Sequence, residues 1–264
     1  MPDAYQLIRN ATTVFEYGGK KFLIDPMLAQ KGAYPGFEHS ANSELRNPLV
    51  DLPMRVEDIL KGIDAVILTH THPDHWDEAA VQLIPKSLLF FTQNATDAEL
   101  LRSQRFTNVH IMEESGTDLG NNITLHKAPC QHGSDKLYSV PQLAEMLGQV
   151  AGLVFQRPGG KSVYFAGDSV WISGVEETLQ KYKPDFVVLN AGNATLDDFG
   201  PIIMGENDVM RTLAIAPDAV VIAQHMEAVN HCVLTRQQLR EFVEKKGIAS
   251  HVFIPADGEF VPVA

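Results

Sequence analysis

The chain has 264 residues, 45% of them hydrophobic and 20% charged, so it is long and apolar enough to bury a full core without disulfide bonds. Its 33 acidic residues against 21 basic ones give a net charge of −12, which repels nucleic-acid phosphates and anionic membrane surfaces. The two cysteines have no CxxC spacing, and neither a leader pattern nor a membrane-length apolar run is present, so we expect a cytoplasmic protein.

Strand and helix patterns alternate along the chain. A β-hairpin is predicted first, from Thr12–Tyr17 and Lys21–Ile24 around a Gly-Gly turn. Residues 29–54 are rich in Gly, Pro, Asn and Ser, which predicts a long loop of the kind that lines binding sites. The later strands are predicted at Ala65–Thr69, Leu88–Thr92, Ile123–Lys127, Leu153–Gln156, Ser162–Ala166, Phe186–Asn190, Ala219–Gln224 and His251–Ile254. The helices are predicted at Asp77–Ile84, from Thr96 onward, and at Val175–Tyr182, Asn207–Ile215 and Leu239–Lys245.

Two helix starts carry capping-box patterns, Thr96 with Glu99 and Thr235 with Gln238. No repeat, low-complexity tract or linker interrupts the alternation of strands and helices. We therefore expect a single domain over residues 1–264, with sheets covered by helices.

Imidazole or carboxylate side chains follow four of the predicted strands. Ala65–Thr69 runs directly into His70-Thr71-His72-Pro73-Asp74-His75, and later strands lead to His132, Asp168 and His225. In helix-covered sheets the carboxyl ends of the strands form the edge where ligands bind.

The spacing inside this motif has a physical interpretation. His70 and His72, two apart on an extended segment, point to the same side and can hold one metal ion. Asp74 and His75 lie past the Pro73 bend and face a second position. We expect the first site to be completed by His132 and the second by His225, with Asp168 shared through its two oxygens. Two ions roughly 3.5 to 4 Å apart can hold a hydroxide and lower the pKa of water toward ~7, which provides a hydrolytic nucleophile.

The pattern HTHPDH, followed by His132, Gly167-Asp168 and His225, resembles the metallo-β-lactamase superfamily over nearly the whole chain. The resemblance implies an α/β fold, a four-layer αββα sandwich with a binuclear zinc, manganese or iron site at one edge. The opening NATTVFEYGGKKFLIDP and the AGD strand end resemble the branch that contains ascorbate-6-phosphate lactonase and many uncharacterised hydrolases.

Four further residues near strand ends are candidate substrate contacts: Trp171, Asn190, Asn193 and His231. Core packing explains Trp171 almost as well, and His231 fits either a proton donor or an ordinary loop residue. Asp25 and Asp257 follow strands, where they can accept the outward N–H of a ligand imidazole or simply stabilise turns.

We expect a metal-dependent hydrolase that directs a metal-bridging hydroxide at an ester, lactone, phosphoester or amide of a small molecule. Asp74 is the expected catalytic residue, since it can bind a metal and also exchange protons. The expected cofactors are two divalent ions, zinc or manganese with iron as a further option, and no organic cofactor, because no phosphate-binding glycine motif occurs.

The expected partner is a small-molecule substrate, with no nucleic acid and no membrane, and formation of a homo-oligomer is left open. Two alternatives to hydrolysis also remain. One is a non-hydrolytic metal-binding or ligand-binding module on the same fold, and the other is an iron-dependent redox enzyme.

Overall fold

A computed structural model describes residues 2–263. The strands in chain order are β1 (Ala4–Arg9), β2 (Thr12–Tyr17), β3 (Lys20–Ile24), β4 (Ala65–Ile67), β5 (Leu89–Thr92), β6 (Asn108–Ile111), β7 (Thr117–Asp118), β8 (Thr124–Ala128), β9 (Gly152–Gln156), β10 (Val163–Phe165), β11 (Phe186–Asn190), β12 (Thr195–Leu196), β13 (Gly200–Pro201), β14 (Val220–Gln224), β15 (Val252–Phe253) and β16 (Phe260–Pro262). The helices are α1 (Val56–Ile59), α2 (Glu78–Leu83), α3 (Ala95–Ser103), α4 (Asp135–Tyr138), α5 (Pro141–Leu147), α6 (Ser173–Tyr182), α7 (Glu206–Ile215) and α8 (Arg236–Lys246). Within the described range, no helix combines the length and the apolar character that crossing a bilayer requires.

The strands form two 7-stranded sheets and a separate 2-stranded antiparallel sheet, β12-β13, and each large sheet has an antiparallel part and a parallel part. The first sheet has the order β16-β1-β2-β3-β4-β5-β6, antiparallel up to β3 and parallel from there on. The second has the order β15-β14-β11-β10-β9-β8-β7, antiparallel from β7 to β10 and parallel beyond. The carboxyl ends of the parallel strands of both sheets meet at one edge of the molecule.

Side-chain alternation on the strands explains the layering. On β11, Phe186 and Val188 pack into the core between the two sheets, whereas Val187 and Leu189 face the covering helices. Both faces of this strand are buried, which accounts for its continuous apolar run. Helices α1 to α3 cover the first sheet and α6 to α8 cover the second, so the predicted αββα sandwich is confirmed.

Most predicted elements are present with bounds shifted by a residue or two. The predicted Thr235–Gln238 capping box is confirmed at the start of α8. The predicted cap at Thr96 is wrong, because the Asn94 side chain accepts the backbone N–H of Asp97 and α3 begins earlier. The sequence patterns also gave no indication of β1, β16 or α5.

Candidate metal centre

The proposed ligand residues lie at one edge of the sandwich, each shortly after a strand. His70 follows β4, His132 follows β8, Asp168 follows β10 and His225 directly follows β14. Gly167 makes the turn before Asp168 possible: its φ is +69°, and an added Cβ would lie 2.8 Å from the Ala151 carbonyl oxygen. A larger residue there would therefore displace the aspartate.

The structure gathers the seven predicted ligand residues into two adjoining groups. In each group the potential ligand atoms lie within 4.8 Å of one another. The first group is His70, His72 and His132, and the second is Asp74, His75, Asp168 and His225. All of these side chains are buried except that of His72, which is half-buried.

One carboxylate oxygen lies between the two groups. Oδ2 of Asp168 is 3.1 Å from Nε2 of His75, 3.5 Å from Nε2 of His132 and 3.9 Å from Nε2 of His70. The other oxygen, Oδ1, accepts a hydrogen bond from Nδ2 of Asn190 at 2.6 Å. Oδ1 also lies 3.6 Å from Nε2 of His225, so Oδ2 faces both groups and Oδ1 faces the second group.

The outward-facing ring nitrogens of the histidines have protein partners. These contacts are His70 Nδ1 to Thr69 Oγ1 (3.0 Å), His72 Nε2 to the Met146 carbonyl (3.0 Å), His75 Nδ1 to Asp25 Oδ2 (2.9 Å), His132 Nδ1 to the Ile202 carbonyl (2.9 Å) and His225 Nδ1 to Cys232 Sγ (3.3 Å). A carbonyl or carboxylate partner keeps the proton on the outer nitrogen and leaves the inner lone pair free for a metal.

The donor set fits divalent cations. Nε2 of His70 is fully buried and has no hydrogen-bond partner among residues 2–263, although it lies near the Asp168 carboxylate. An unpartnered buried nitrogen is costly unless something satisfies it, and a cation between the imidazoles and carboxylates would do so. Imidazole and carboxylate donors suit zinc, manganese and iron alike.

The carboxylates control the protonation of the second group. Burial lowers the pKa of His75, but the carboxylates of Asp168, Asp74 and Asp25 outweigh burial and raise that pKa to about 10. Burial raises the pKa of Asp74, but His75 and His225 outweigh it and hold the pKa well below the usual carboxyl range. In the first group, burial lowers the pKa of His132 to about 4. Without metal, the protons therefore concentrate in the second group.

A cavity of about 380 Å³ opens onto the ligand cluster, and Asp74 lies in its wall. Its apolar lining consists of Phe37, Pro73, Met146, Leu147, Leu196 and Ile202. Within residues 2–263, no lysine or arginine lines this cavity. The predicted loop 29–54 contributes Phe37, Glu38 and His39 to the cavity.

His231 also lines this cavity and is 6% exposed. Its ring packs edge-on against Phe37, with the ring centroids 4.8 Å apart, and its Nδ1 is buried without a hydrogen-bond partner in the described chain. Burial lowers the pKa of His231 to about 4, so the ring is neutral near pH 7 and offers one N–H.

Three of the predicted substrate contacts lie elsewhere. Asn190 is buried and bonds to Asp168, so it supports the ligand cluster and does not line the cavity. Trp171 and Asn193 line a separate cavity of about 310 Å³, where the Arg211 guanidinium lies 4.9 Å from the centre of the Trp171 ring. Asp25 contacts a ligand histidine, His75, as considered from the sequence.

The sequence patterns missed several residues that support the site. Asn10 donates through Nδ2 to the Asp74 carbonyl at 3.0 Å, and Met146 accepts from His72 through its own carbonyl. Gln224 is buried at the end of β14, directly before His225. In the sequence, a polar amide that ends an apolar strand next to a ligand histidine was the signal that could have identified it as a supporting residue. Asp257, in contrast, forms an ion pair with Arg236 and supports no ligand.

An αββα sandwich that carries an HxHxDH loop and the later ligands at one edge defines a metal-dependent hydrolase of the metallo-β-lactamase type. The family model described as "Beta-lactamase superfamily domain" matches residues 20–226, and the chain belongs to that superfamily. The UPF0173 protein YddR of Bacillus subtilis is 42% identical over 252 residues, which span 96% of each chain.

Two solved structures match almost the whole chain. The isothiocyanate hydrolase from Delia radicum gut bacteria is 52% identical, with a TM-score of 0.96 over 98% of both chains. A possible metal-dependent hydrolase from Veillonella parvula is 42% identical, with a TM-score of 0.97 over 99% of this chain and 100% of the other. These likenesses agree with the metal-dependent hydrolase class that the HxHxDH motif predicts.

Proposed function

We propose that this protein hydrolyses small apolar isothiocyanates with two divalent ions bound by the two ligand groups. The reaction is R–N=C=S + H₂O → R–NH₂ + O=C=S: the water oxygen joins the central carbon, the carbon–nitrogen bond breaks, and both water protons end on nitrogen. This substrate class differs from the esters, lactones, phosphoesters and amides that we expected from the sequence.

The observation that carries this proposal is the apolar cavity beside the ligand cluster. An isothiocyanate is neutral, and its R group can bury against Phe37, Met146 and Leu196. A phosphoester, in contrast, would find no protein cation in the lining of the described chain and would face the carboxylate of Glu38. The 52% identity to an isothiocyanate hydrolase supports the same substrate class.

The site residues have distinct tasks in this proposal. Divalent ions held by the two groups would lower the pKa of water toward ~7 and so supply a hydroxide nucleophile. Asp74 lies in the cavity wall, and beside the bound cations it would stay ionised and accept a hydrogen bond or proton from the attacking water. His231, with its Nδ1 unpartnered and its ring in the cavity wall, donates its N–H to the substrate nitrogen.

The test is a substrate panel assayed with metal-depleted and zinc- or manganese-loaded protein. We expect loaded protein to consume phenethyl and allyl isothiocyanate and release amine, with a matched phosphodiester and lactone turned over far more slowly. His231→Phe keeps an aromatic ring but removes the donor, so kcat should fall while metal content stays unchanged. Preferred turnover of the phosphodiester or lactone, or metal-independent activity, would contradict the proposal.

A further inference from the structure

A buried chain of hydrogen bonds leads from the first sheet to Asp168. The hydroxyls of Tyr5 and Thr13 both donate to Oε1 of Gln224, at 2.6 and 2.9 Å. Nε2 of Gln224 donates to Oδ1 of Asn190 at 2.7 Å, and Nδ2 of Asn190 donates to Oδ1 of Asp168 at 2.6 Å. Every member is at most 4% exposed, so water does not compete for these bonds.

The chain of bonds has a fixed direction. Two hydroxyl donors occupy the oxygen of the Gln224 amide, which turns its N–H toward Asn190. Asn190 must then present its oxygen to Gln224 and its N–H to Asp168. A reversed pair of amides would place the Asn190 oxygen against the carboxylate, which is repulsive in a buried setting.

The backbone holds this chain of bonds in register. Asn190 and Gln224 end the neighbouring parallel strands β11 and β14 and are paired directly across them. Tyr5 and Thr13 lie on β1 and β2 of the opposite sheet, so the bonds cross the interface between the sheets. The angle of Asp168 therefore depends on how the two sheets pack.

We propose that Tyr5, Thr13, Gln224 and Asn190 form a positioning relay that fixes Asp168 Oδ1 and thereby turns Oδ2 toward both ligand groups. The relay rests on the two-metal centre of the proposed function but not on the identity of the substrate. Its members do not line the cavity that opens onto the ligand cluster, so they act through Asp168 and not by touching a substrate.

Because two hydroxyls donate to the same oxygen of Gln224, we expect either one alone to hold the Gln224 amide in its orientation. Tyr5→Phe or Thr13→Val alone leaves one donor on Gln224 Oε1, so zinc affinity should change by no more than about threefold. The double variant frees the amide to reverse, and zinc affinity should fall about 10- to 100-fold, the range typical when outer partners of metal ligands are lost.

Zinc affinity is measured on the full chain by competition with a chromophoric chelator, beside thermal unfolding and zinc stoichiometry. Tyr17→Phe is the matched control, because Tyr17 is equally buried and loses a hydrogen bond to the Lys161 carbonyl (2.5 Å) away from the metals. Gln224→Glu keeps the acceptor for both hydroxyls but has no N–H for Asn190, and it serves as the test if the double variant does not fold.

The relay is supported if the double variant loses more zinc affinity than the two single variants together, or if Gln224→Glu loses zinc affinity, while Tyr17→Phe keeps the wild-type affinity. Wild-type affinity in these variants, or an equal loss in Tyr17→Phe, overturns it. Wild type that binds zinc but does not hydrolyse isothiocyanates refutes the proposed substrate and leaves the relay standing. Wild type that binds neither zinc nor manganese refutes both.

Discussion

Asn47 and Asn230 are joined by a pair of hydrogen bonds, although they lie far apart in sequence. Nδ2 of Asn47 donates to Oδ1 of Asn230 at 2.8 Å, and the backbone N–H of Asn230 donates to Oδ1 of Asn47 at 2.9 Å. The Asn230 side chain also accepts the backbone N–H of Phe37 and donates to the Ala41 carbonyl, both at 2.8 Å. Asn230 therefore fastens the loop 29–54 over the segment that carries His231.

Replacement of Asn230 by alanine should loosen that loop. Several buried loop groups would lose their partners, at a cost of about 1 to 3 kcal/mol each where water cannot replace them. Phe37 would no longer be held in the cavity wall, so KM for the isothiocyanate should rise while metal content stays at the wild-type value. Asn121→Ala, which removes an exposed bond to Gly18, is the control. Loss of metal, or an unchanged KM in a loosened loop, would contradict the role of Asn230 in holding Phe37 in the cavity wall.

Glycine at position 167 should be essential for metal binding. In Gly167→Ala the new Cβ would meet the Ala151 carbonyl oxygen at 2.8 Å, so the turn must shift and move Asp168. Gly159 has a similar φ of +70° but open space around it. Gly159→Ala should therefore lower Tm slightly through backbone strain and keep its metal, whereas Gly167→Ala should lose metal. Equal metal content in the two variants would argue against this placement of Asp168.

Metal affinity should depend on pH through the protons of the second group. Without metal, the carboxylates outweigh burial and raise the pKa of His75 to about 10, and that of His225 lies well above its usual value. Both rings must lose these protons to bind a cation, so affinity rises as pH increases from neutrality toward the raised pKa and falls as pH drops. Calorimetric titration near pH 7.5 in buffers of different ionisation enthalpy should show release of about one to two protons per chain.

His132 gives the contrast in that experiment. Because burial lowers its pKa to about 4, it is already neutral at the pH of the titration and contributes no proton. A zinc affinity that stays flat over the neutral and mildly alkaline range, with no proton release, would mean that the carboxylates do not hold protons on His75 and His225.

The features that could be predicted from the sequence are those set by neighbouring residues in the chain. The ligands His70 to His75 lie in one short segment at a strand end, so their types and spacing alone indicated a metal site. Strands such as β2 and β11 were predicted with their observed bounds, because strongly apolar runs between turn signals leave little choice.

What the sequence could not predict depends on long-range pairing. The role of Asn190 depends on the register of β11 against β14 and on Tyr5 from the opposite sheet, and no local pattern encodes either. Helix α5 has only 7 residues, too few for a helical period to be distinctive in the sequence, yet it delivers the Met146 carbonyl to His72. Asn193 follows a strand end as Asp168 does, but the turn of its chain directs it to a different cavity.

The most direct test of the two-metal centre is the metal content of two alanine variants beside the wild type, with isothiocyanate turnover measured on the same samples. Wild type should hold two ions per chain and hydrolyse the substrate. His132→Ala should keep the ion of the second group, whereas Asp168→Ala, which removes the carboxylate between the groups, should weaken both ions and abolish turnover. Two tightly held ions in Asp168→Ala, or wild-type turnover after complete metal removal, would contradict the account.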